Sequence, residues 1–255
     1  MTPATERDLA GQRLLVVGAS SGIGRSLAAL AAKAGARVVA TARRADRLDA
    51  LCAETGGQLI AHEGDARRDA DCAAMVGRAV SEFGGLDAMI YAAGVSSLSP
   101  LLETDGEAWR SILGTNVIGP AQTCQAALPH LLESHGRAVF LSSVSAADPR
   151  PMIVPYGASK AALDALIQGW RNEHPDIAFI RIGVGPTSTE FGSGWDRSNI
   201  AKLTEARARM GLLRVRRMTS DQCAKAILDT LTAPIWIEDI KLMPDNTRME
   251  GDVDA

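Results

Sequence analysis

The chain alternates between short runs of β-branched and apolar residues and longer stretches in which apolar residues recur at helical spacing. The short runs predict seven strands, at residues 13–17, 37–41, 58–63, 88–91, 137–142, 177–184 and 235–243. The longer stretches predict helices at residues 23–34, 45–54, 69–83, 105–134, 156–174 and 220–231. Apolar strands separated by amphipathic helices need a parallel sheet that is covered on both faces.

No linker divides this pattern, because the Gly, Pro and Ser clusters fall at the ends of predicted strands. Residues 1–255 are therefore interpreted as one domain with a core at about residues 11–243. Right-handed crossovers make it an α/β, Rossmann-like doubly wound fold with a seven-stranded parallel sheet flanked by helices. Residues 187–215 lack a clear strand and are expected to form a loop and a short helix over the site. Residues 249–255 are expected to be frayed.

A glycine-rich turn follows the first predicted strand and leads into a helix. Its sequence is Gly-Ala-Ser-Ser-Gly-Ile-Gly at residues 18–24. Glycines permit a tight turn and a close approach of the backbone to a diphosphate, whose charge the N–H groups of the helix start can bind. Glycines also simply close loops, but the strand-turn-helix context favours a dinucleotide site. The candidate cofactor residues are Gly18, Ser20, Ser21, Gly22, Ile23 and Gly24.

The end of the second predicted strand indicates which nicotinamide nucleotide is bound. Sites that select NAD usually place an acidic residue there to hold the ribose hydroxyl. Here Ala42 occupies that place and Arg43 follows it. An arginine binds a 2′-phosphate through charge-assisted hydrogen bonds, whereas the alternative is a solvated Arg pair that opens a helix. The pattern favours NADP(H), with Arg43 as the phosphate ligand.

A tyrosine and a lysine four residues apart open the fifth predicted helix. At this spacing Tyr156 and Lys160 lie on one helix face. Reduction of a carbonyl needs a proton as well as a hydride, and a nearby ammonium is expected to lower the phenol pKa from about 10. The preceding strand ends at Ser142 and Ser143, where a hydroxyl can donate to a substrate oxygen. Such serines also often bond only their own backbone.

These motifs resemble those of the short-chain dehydrogenase/reductase family over nearly the whole chain, from about residue 11 to 243. The turn is similar to the family's T-G-x-x-x-G-x-G, with Val17 in place of threonine. The resemblance implies catalytic roles for Asn116, Ser143, Tyr156 and Lys160, with Asn116 holding a water that relays protons to the lysine. It implies further cofactor contacts from Asp65, Ala66, Ala92, Ala93, Gly94, Tyr156, Lys160, Pro186 and Thr189. Tyr91 and Ala92 stand where the family has two asparagines, and Thr187 replaces a glycine.

Composition narrows the remaining choices. The 255 residues carry a net charge of −3 and no long apolar run, which argues against nucleic-acid and membrane partners and for a cytoplasmic location. The four cysteines form no C-x-x-C pair and the four histidines share no metal spacing, so no metal is expected.

The sequence thus predicts an NADP(H)-dependent oxidoreductase that interconverts a carbonyl and a secondary or primary alcohol, with Tyr156 as general acid or base. The substrate is a small molecule, and Val95, Met152, Ile153 and Trp195 suggest a partly apolar pocket for it. The alternative is a non-catalytic NADP(H)-binding sensor or scaffold. The family resemblance implies a homodimer or homotetramer that pairs through the predicted helices 105–134 and 156–174.

Overall fold

Seven parallel strands form the central sheet of the computed structural model, which describes residues 8–209 and 216–245. The strands are β1 (Arg13–Val17), β2 (Arg37–Ala42), β3 (Leu59–Glu63), β4 (Ala88–Tyr91), β5 (Arg137–Ser143), β6 (Ala178–Val184) and β9 (Asp239–Leu242). Their order is β3-β2-β1-β4-β5-β6-β9, which reverses direction at β1 and confirms the predicted doubly wound fold. A separate pair, β7 (Thr187–Ser188) and β8 (Met218–Thr219), is also parallel.

Helices cover both faces of the sheet. They are α1 (Gly22–Lys33), α2 (Ala45–Glu54), α3 (Asp69–Phe83), α4 (Gly106–Leu113), α5 (Gly119–Ser134), α6 (Val154–Glu173), α7 (Arg197–Arg209) and α8 (Ser220–Thr232). Because side chains alternate along a strand, Leu14 and Val16 join the core that α1 and α8 cover. Leu15 and Val17 join the core under α3, α5 and α6. Among the described residues, no helix combines the length and apolarity that a membrane span requires.

The predicted helix at residues 105–134 is interrupted in the middle. A π-helical turn, Gly114–Ile118, separates α4 from α5. The hydroxyl of the fully buried Tyr91 donates to the Thr115 carbonyl over 2.7 Å. A Cβ at Gly119 would overlap the Tyr91 hydroxyl. The substitution of tyrosine for the family's asparagine is therefore accommodated by a glycine one turn along the helix.

Two predicted segments differ from the structure. The last strand covers only Asp239–Leu242, not residues 235–243, because Ile235 and Trp236 run exposed over the surface before pairing with β6 begins. Residues 187–209 contain the short strand β7 and the 13-residue helix α7, so the expected loop with a short helix is only partly correct. The rest of that segment, residues 210–215, and the predicted frayed end at 249–255 lie outside the described residues.

Candidate active site

The predicted site residues come together where the parallel strands end. The glycine-rich turn follows β1, Gly94 follows β4, and Ser143 is the last residue of β5. Helix α6 then brings Tyr156 and Lys160 to the same edge. Ligands of doubly wound folds bind at this carboxyl edge, beside the point where the strand order reverses.

At Gly18 and Gly24 the turn after β1 is packed so closely that only glycine fits. Gly18 has a φ of +91°, and a Cβ there would lie 2.5 Å from the Ala93 nitrogen. A Cβ at Gly24 would overlap the Gly18 carbonyl and approach the Ala92 Cβ to 3.1 Å. The Gly18 N–H donates to the Thr41 carbonyl over 2.8 Å, which joins the turn to β2. The result is a cradle of bare backbone at the start of α1, a geometry that suits a diphosphate.

Thr189 lies directly beside this cradle. Gly22 has a φ of +54°, and a Cβ there would be 3.3 Å from the Thr189 Cβ. The Thr189 hydroxyl accepts a hydrogen bond from the Phe191 N–H over 3.2 Å. Pro186 lies in the connection between β6 and β7, and its carbonyl accepts from Met218. Ile23 contributes to the apolar core below the turn.

The arginine that reaches the turn is Arg44, which the sequence prediction passed over in favour of Arg43. The Arg44 guanidinium donates to the Ser20 hydroxyl over 2.9 and 3.2 Å and to the Ser21 hydroxyl over 2.8 Å. Arg43 is exposed and faces Asp65 instead, where its charge helps to lower the pKa of that carboxyl. Neighbouring residues at a strand end point in opposite directions, so the Arg pair divides between two sides of the groove.

Asp65 is held by a partner that the sequence did not reveal. The Arg67 guanidinium donates to both of its carboxylate oxygens, with the shortest contact at 2.5 Å. This hydrogen bonding is the main reason why the pKa of Asp65 is lowered. The neighbouring Ala66 is buried, and its carbonyl accepts from the Cys72 thiol over 3.3 Å. Asp65, just after β3, is therefore held in an ion pair with Arg67.

Tyr156 and Lys160 lie side by side in the first turns of α6. The Lys160 Nζ is 5.8 Å from the centre of the Tyr156 ring and donates to the Leu141 carbonyl over 2.7 Å. Burial lowers the pKa of Lys160 to about 8, and the charge of Asp164 opposes this shift. Burial raises the pKa of Tyr156, while a hydrogen bond with Ser143 acts in the opposite direction.

The sequence predicts that Lys160 lowers the pKa of Tyr156, whereas in the structure the pKa of Tyr156 is raised. Desolvation of the phenolate outweighs the other influences on Tyr156. Lys160 is itself almost fully buried and its ammonium is bonded to a backbone carbonyl. The Tyr156 phenol is therefore protonated near neutral pH, which suits a proton donor.

The two serines at the end of β5 have different partners. The Ser143 hydroxyl accepts from the Ser145 N–H over 3.1 Å and also bonds Tyr156. The Ser142 hydroxyl donates to Asp164 over 2.5 Å. That carboxylate in turn pairs with Arg181 over 2.7 Å. Only Ser143 therefore belongs to the group around Tyr156.

Asn116 is fully buried inside the π-helical turn. Its amide exchanges two hydrogen bonds of 2.9 Å with the backbone of Val95 and donates to the Ser159 hydroxyl over 2.9 Å. Ser159 then donates to the Tyr156 carbonyl over 2.7 Å. Asn116 therefore ties the β4 loop, the π turn and α6 together, and Ser159 is a link that sequence reasoning missed.

Gly94 lies between these groups. A Cβ there would be 3.7 Å from both the Asn116 Oδ1 and the Lys160 Nζ. The close spacing shows that the loop after β4 reaches the floor of the site.

Apolar side chains cover Tyr156 from above. The Phe191 and Tyr156 rings meet edge-on with their centres 5.1 Å apart. The centre of the Trp195 ring lies 6.2 Å from that of Phe191. Met152, Tyr156 and Trp195 pack against a buried cluster of Leu98, Ile153 and Leu203. The described residues contain no group of three or more His, Cys, Asp or Glu side chains arranged to hold a metal ion.

Comparisons with known proteins agree with this architecture. The family model of the short chain dehydrogenases matches residues 12–199. A Sesamum indicum protein named 11-beta-hydroxysteroid dehydrogenase A is 35% identical over 193 residues, which are 73% of this chain and 56% of that protein. The chain thus spans less than two thirds of that relative's length.

Two solved structures share the fold. An alcohol dehydrogenase from the archaeon Thermococcus sibiricus, complexed with 5-hydroxy-NADP, has a TM-score of 0.79 at 24% identity, covering 94% of this chain and 99% of that chain. A short chain dehydrogenase/reductase from Burkholderia phymatum, in complex with NAD, has a TM-score of 0.81 at 19% identity, covering 92% of this chain and 90% of that chain. Together with the family match over residues 12–199, these findings show that the chain belongs to the short-chain dehydrogenase/reductase family of oxidoreductases.

Proposed function

We propose that the protein is an NADP(H)-dependent oxidoreductase that interconverts a carbonyl and a secondary or primary alcohol, with Tyr156 as general acid or base. The observation that carries this proposal is the position of the half-buried Tyr156, which lies beside Ser143 and has its ring centre 5.8 Å from the Lys160 Nζ. Phenol, hydroxyl and ammonium together supply what proton transfer to a carbonyl oxygen needs.

Residues at the diphosphate and adenosine portions of the groove support binding of a nicotinamide dinucleotide. The glycine cradle and the Ser20 and Ser21 hydroxyls suit the diphosphate. Arg43 and Arg44 bring positive charge to the adenosine end and Ala42 brings no acid, which supports NADP(H) over NAD(H). We further propose cofactor contacts from Asp65, Ala66, Ala92, Ala93, Gly94, Pro186 and Thr189.

The chain's own residues hold the substrate and move the proton. When bound, the nicotinamide donates or accepts the hydride. In the reducing direction, Ser143 and Tyr156 donate hydrogen bonds to the substrate oxygen, and the Tyr156 phenol releases its proton to that oxygen. Lys160, with its Nζ 5.8 Å from the Tyr156 ring centre, would offset part of the cost of the phenolate that is left, and it would hold the nicotinamide ribose. Asn116 positions α6 through Ser159 and supports the return of a proton to Lys160.

The substrate is a small-molecule carbonyl or alcohol with a partly apolar body. The apolar cover of Leu98, Met152, Ile153 and Phe191 supports this, and the hydroxysteroid name of the sesame relative is compatible with it. We also propose a cytoplasmic homodimer or homotetramer that pairs through α5 and α6, with neither nucleic acid nor membrane as a partner.

Replacement of Tyr156 tests the reaction. In a panel of ketones, aldehydes and alcohols followed by NADPH absorbance, Tyr156→Phe is expected to lower kcat at least roughly a hundredfold. NADPH binding, measured by fluorescence titration, stays within about twofold because the ring is kept. Unchanged turnover in this variant contradicts the mechanism. Tight NADPH binding without turnover by the parent protein supports the sensor or scaffold instead.

A further inference from the structure

A carboxylate outside the proposed catalytic group lies next to it. Asp164 is half-buried on α6, one helical turn beyond Lys160. One of its carboxylate oxygens accepts from the Ser142 hydroxyl over 2.5 Å, and the other pairs with the Arg181 guanidinium over 2.7 Å. At a spacing of four residues, Asp164 and Lys160 lie on one face of the helix. Strands β5 and β6 thus fix the carboxylate in position beside the lysine.

The same carboxylate is joined to the backbone that holds the lysine. Leu141, whose carbonyl accepts from the Lys160 Nζ over 2.7 Å, directly precedes Ser142 in β5. Ser143, which lies beside Tyr156, directly follows it. Ser142 therefore connects the carboxylate to the short stretch of β5 that contacts both members of the proposed proton-transfer pair.

Other charged groups on the elements that pack against this part of α6 are engaged elsewhere. Glu107 and Arg110 of α4 are exposed and pair with each other over 3.4 Å. Arg137 lies at the opposite end of β5 and donates to carbonyls at the end of α8. The π turn and the 3₁₀ turn Val144–Ala146 contain no ionisable side chain. Among the described residues of these elements, three ionisable groups remain near the lysine: Tyr156 and Asp164 on α6, and Arg181 on β6.

Of these three, Asp164 is the group that favours a charged Lys160. Burial lowers the pKa of Lys160 to about 8, and the negative charge of Asp164 opposes that shift. Arg181 has the same sign of charge as the lysine, but it pairs with Asp239 over 3.7 Å as well as with Asp164. The positive charge of Arg181 is thus divided between two carboxylates, and it neutralises Asp164 only in part.

We propose that Asp164 is a positioning residue for the reaction, which keeps the Lys160 ammonium charged and in place beside Tyr156. This inference rests on the proposed function and adds a residue to it. Ser142 and Arg181 hold the carboxylate, and the carboxylate acts on the lysine through its electric field. The alternative is an ion pair that joins α6 to β6 and has no effect on Lys160.

Nuclear magnetic resonance measures the titration of Lys160 directly and needs no turnover. The chain has five lysines, so protein labelled with ¹³C at lysine gives five Cε signals, and Lys160→Met identifies the signal of Lys160. In the parent protein this signal is expected to titrate near pH 8. In Asp164→Asn the pKa of Lys160 is expected to lie roughly one pH unit lower, because a partly screened negative charge beside it has been removed.

Further variants separate the charge of Asp164 from its structural role. Asp239→Asn removes the other acid that pairs with Arg181 and should leave the pKa of Lys160 within about 0.3 pH unit of the parent value. Asp164→Glu keeps the charge and should restore most of the pKa that Asp164→Asn loses. Ser142→Ala keeps both the charge and the Arg181 pair, so it should lower the pKa of Lys160 less than Asp164→Asn does. If Asp164→Asn does not fold, Asp164→Asn combined with Arg181→Gln removes both members of the ion pair and should still lower that pKa.

The pH dependence of turnover extends the test to the reaction. A charged Lys160 offsets the cost of the phenolate, so kcat for carbonyl reduction with NADPH is expected to fall on the alkaline side as the lysine loses its proton. Asp164→Asn should move this fall to lower pH by the amount that the Cε signal shows, and Asp239→Asn should leave it in place.

The outcomes separate this inference from the proposed function. An active parent protein whose Lys160 titration is unchanged in Asp164→Asn, or falls equally in Asp239→Asn, overturns the inference and leaves the oxidoreductase intact. A parent protein that turns over no carbonyl or alcohol contradicts the proposed function instead, and the Cε titration then still shows whether Asp164 keeps Lys160 charged.

Discussion

Lys160 is a single residue whose charged form is held in an unfavourable environment by burial. Its ammonium is buried, and burial lowers the pKa of Lys160 from the ordinary 10.5 to about 8. A shift of this size corresponds to about 3 kcal/mol of lost stability when the group is protonated in both folded and unfolded chains. The hydrogen bond to the Leu141 carbonyl and the nearby Asp164 recover only part of the lost hydration.

Replacing Lys160 is therefore expected to stabilise the protein while inactivating it. At pH 7 Lys160→Met should raise the free energy of unfolding by about 1–3 kcal/mol and lower kcat at least roughly a hundredfold. Between pH 8 and 10.5 the folded chain has released the Lys160 proton that the unfolded chain still binds. The free energy of unfolding of the wild type therefore rises with pH relative to that of the variant. Urea denaturation at pH 7 and near pH 10 measures both effects.

An exposed lysine gives the control for this experiment. Lys33 ends α1 at the surface, and Lys33→Met should change the free energy of unfolding by no more than about 0.5 kcal/mol at either pH. A Lys160→Met protein that is less stable than the wild type at pH 7 would contradict the account of its burial.

At the scale of elements, three consecutive residues connect the glycine-rich turn to Tyr156, the proposed proton donor. Thr189 lies on Gly22, Glu190 pairs with Arg47 at 2.5 Å and with Arg44 at 3.7 Å, and Phe191 meets Tyr156. Glu190 thus pairs with Arg44, one of the two arginines that the proposed function places at the adenosine end of the groove, and with the nearby Arg47. Its carboxylate and a bound 2′-phosphate would compete for the same positive charge.

Glu190→Gln should therefore strengthen the binding of NADPH and of 2′,5′-ADP. An exposed ion pair of this kind is worth up to about 1 kcal/mol, so the Kd of both ligands should fall roughly twofold to fivefold. The Kd of NADH, which lacks the phosphate, should change by less than about twofold. Calorimetric titration at fixed ionic strength measures all three.

Glu103 provides a matched control on the other side of α7. It pairs with Lys202 over 2.9 Å, and its side chain is 51% exposed against 52% for Glu190. Glu103→Gln removes one ion pair from this region, against two for Glu190→Gln, and should leave the three affinities as they are. Equal effects of the two substitutions would show that Glu190 does not compete with the phosphate. A wild type that prefers NADH would instead refute the assignment of NADP(H).

At the scale of the whole molecule, one helical face remains open to a second copy. Helix α6 lines the core with Leu163 and Ile167, while Ala158, Ala161 and Ala165 lie exposed on its outer side. Small apolar residues at this spacing form one stripe along the helix and allow another helix to approach closely. This face supports the proposed pairing through α6.

Ala161→Arg is accordingly expected to convert the oligomer to a monomer. A long charged side chain in the middle of such an interface is costly to bury. Light scattering after size-exclusion chromatography measures the mass. Ala74→Arg, on the exposed side of α3, is the control and should leave the mass unchanged. A wild type that is already monomeric, or an Ala161→Arg protein that keeps its assembly, contradicts the proposed interface.

Agreement between sequence and structure is greatest where the signal is local. The bounds of β1, α2, α3 and β4 match the predicted ranges because each is marked by periodicity and flanking turn residues. The C-terminal strand was predicted too long because the apolar residues at 235–237 look like a strand, although Ile235 and Trp236 are exposed. The π turn between α4 and α5 receives a hydrogen bond from Tyr91, which lies 24 residues away from its partner Thr115.

The sequence alone determined the fold class, the glycine turn and the Tyr156–Lys160 pair, because each depends on residues within a few positions of one another and on the spacing of strands and helices. Only the tertiary structure decided that Arg44 reaches the turn, that Ser159 joins Asn116 to α6 and that Glu190 faces Arg47, 143 residues away. The same holds for the pairing of Asp164 with Ser142 and Arg181. Such contacts follow from how distant segments pack, and no local pattern encodes them.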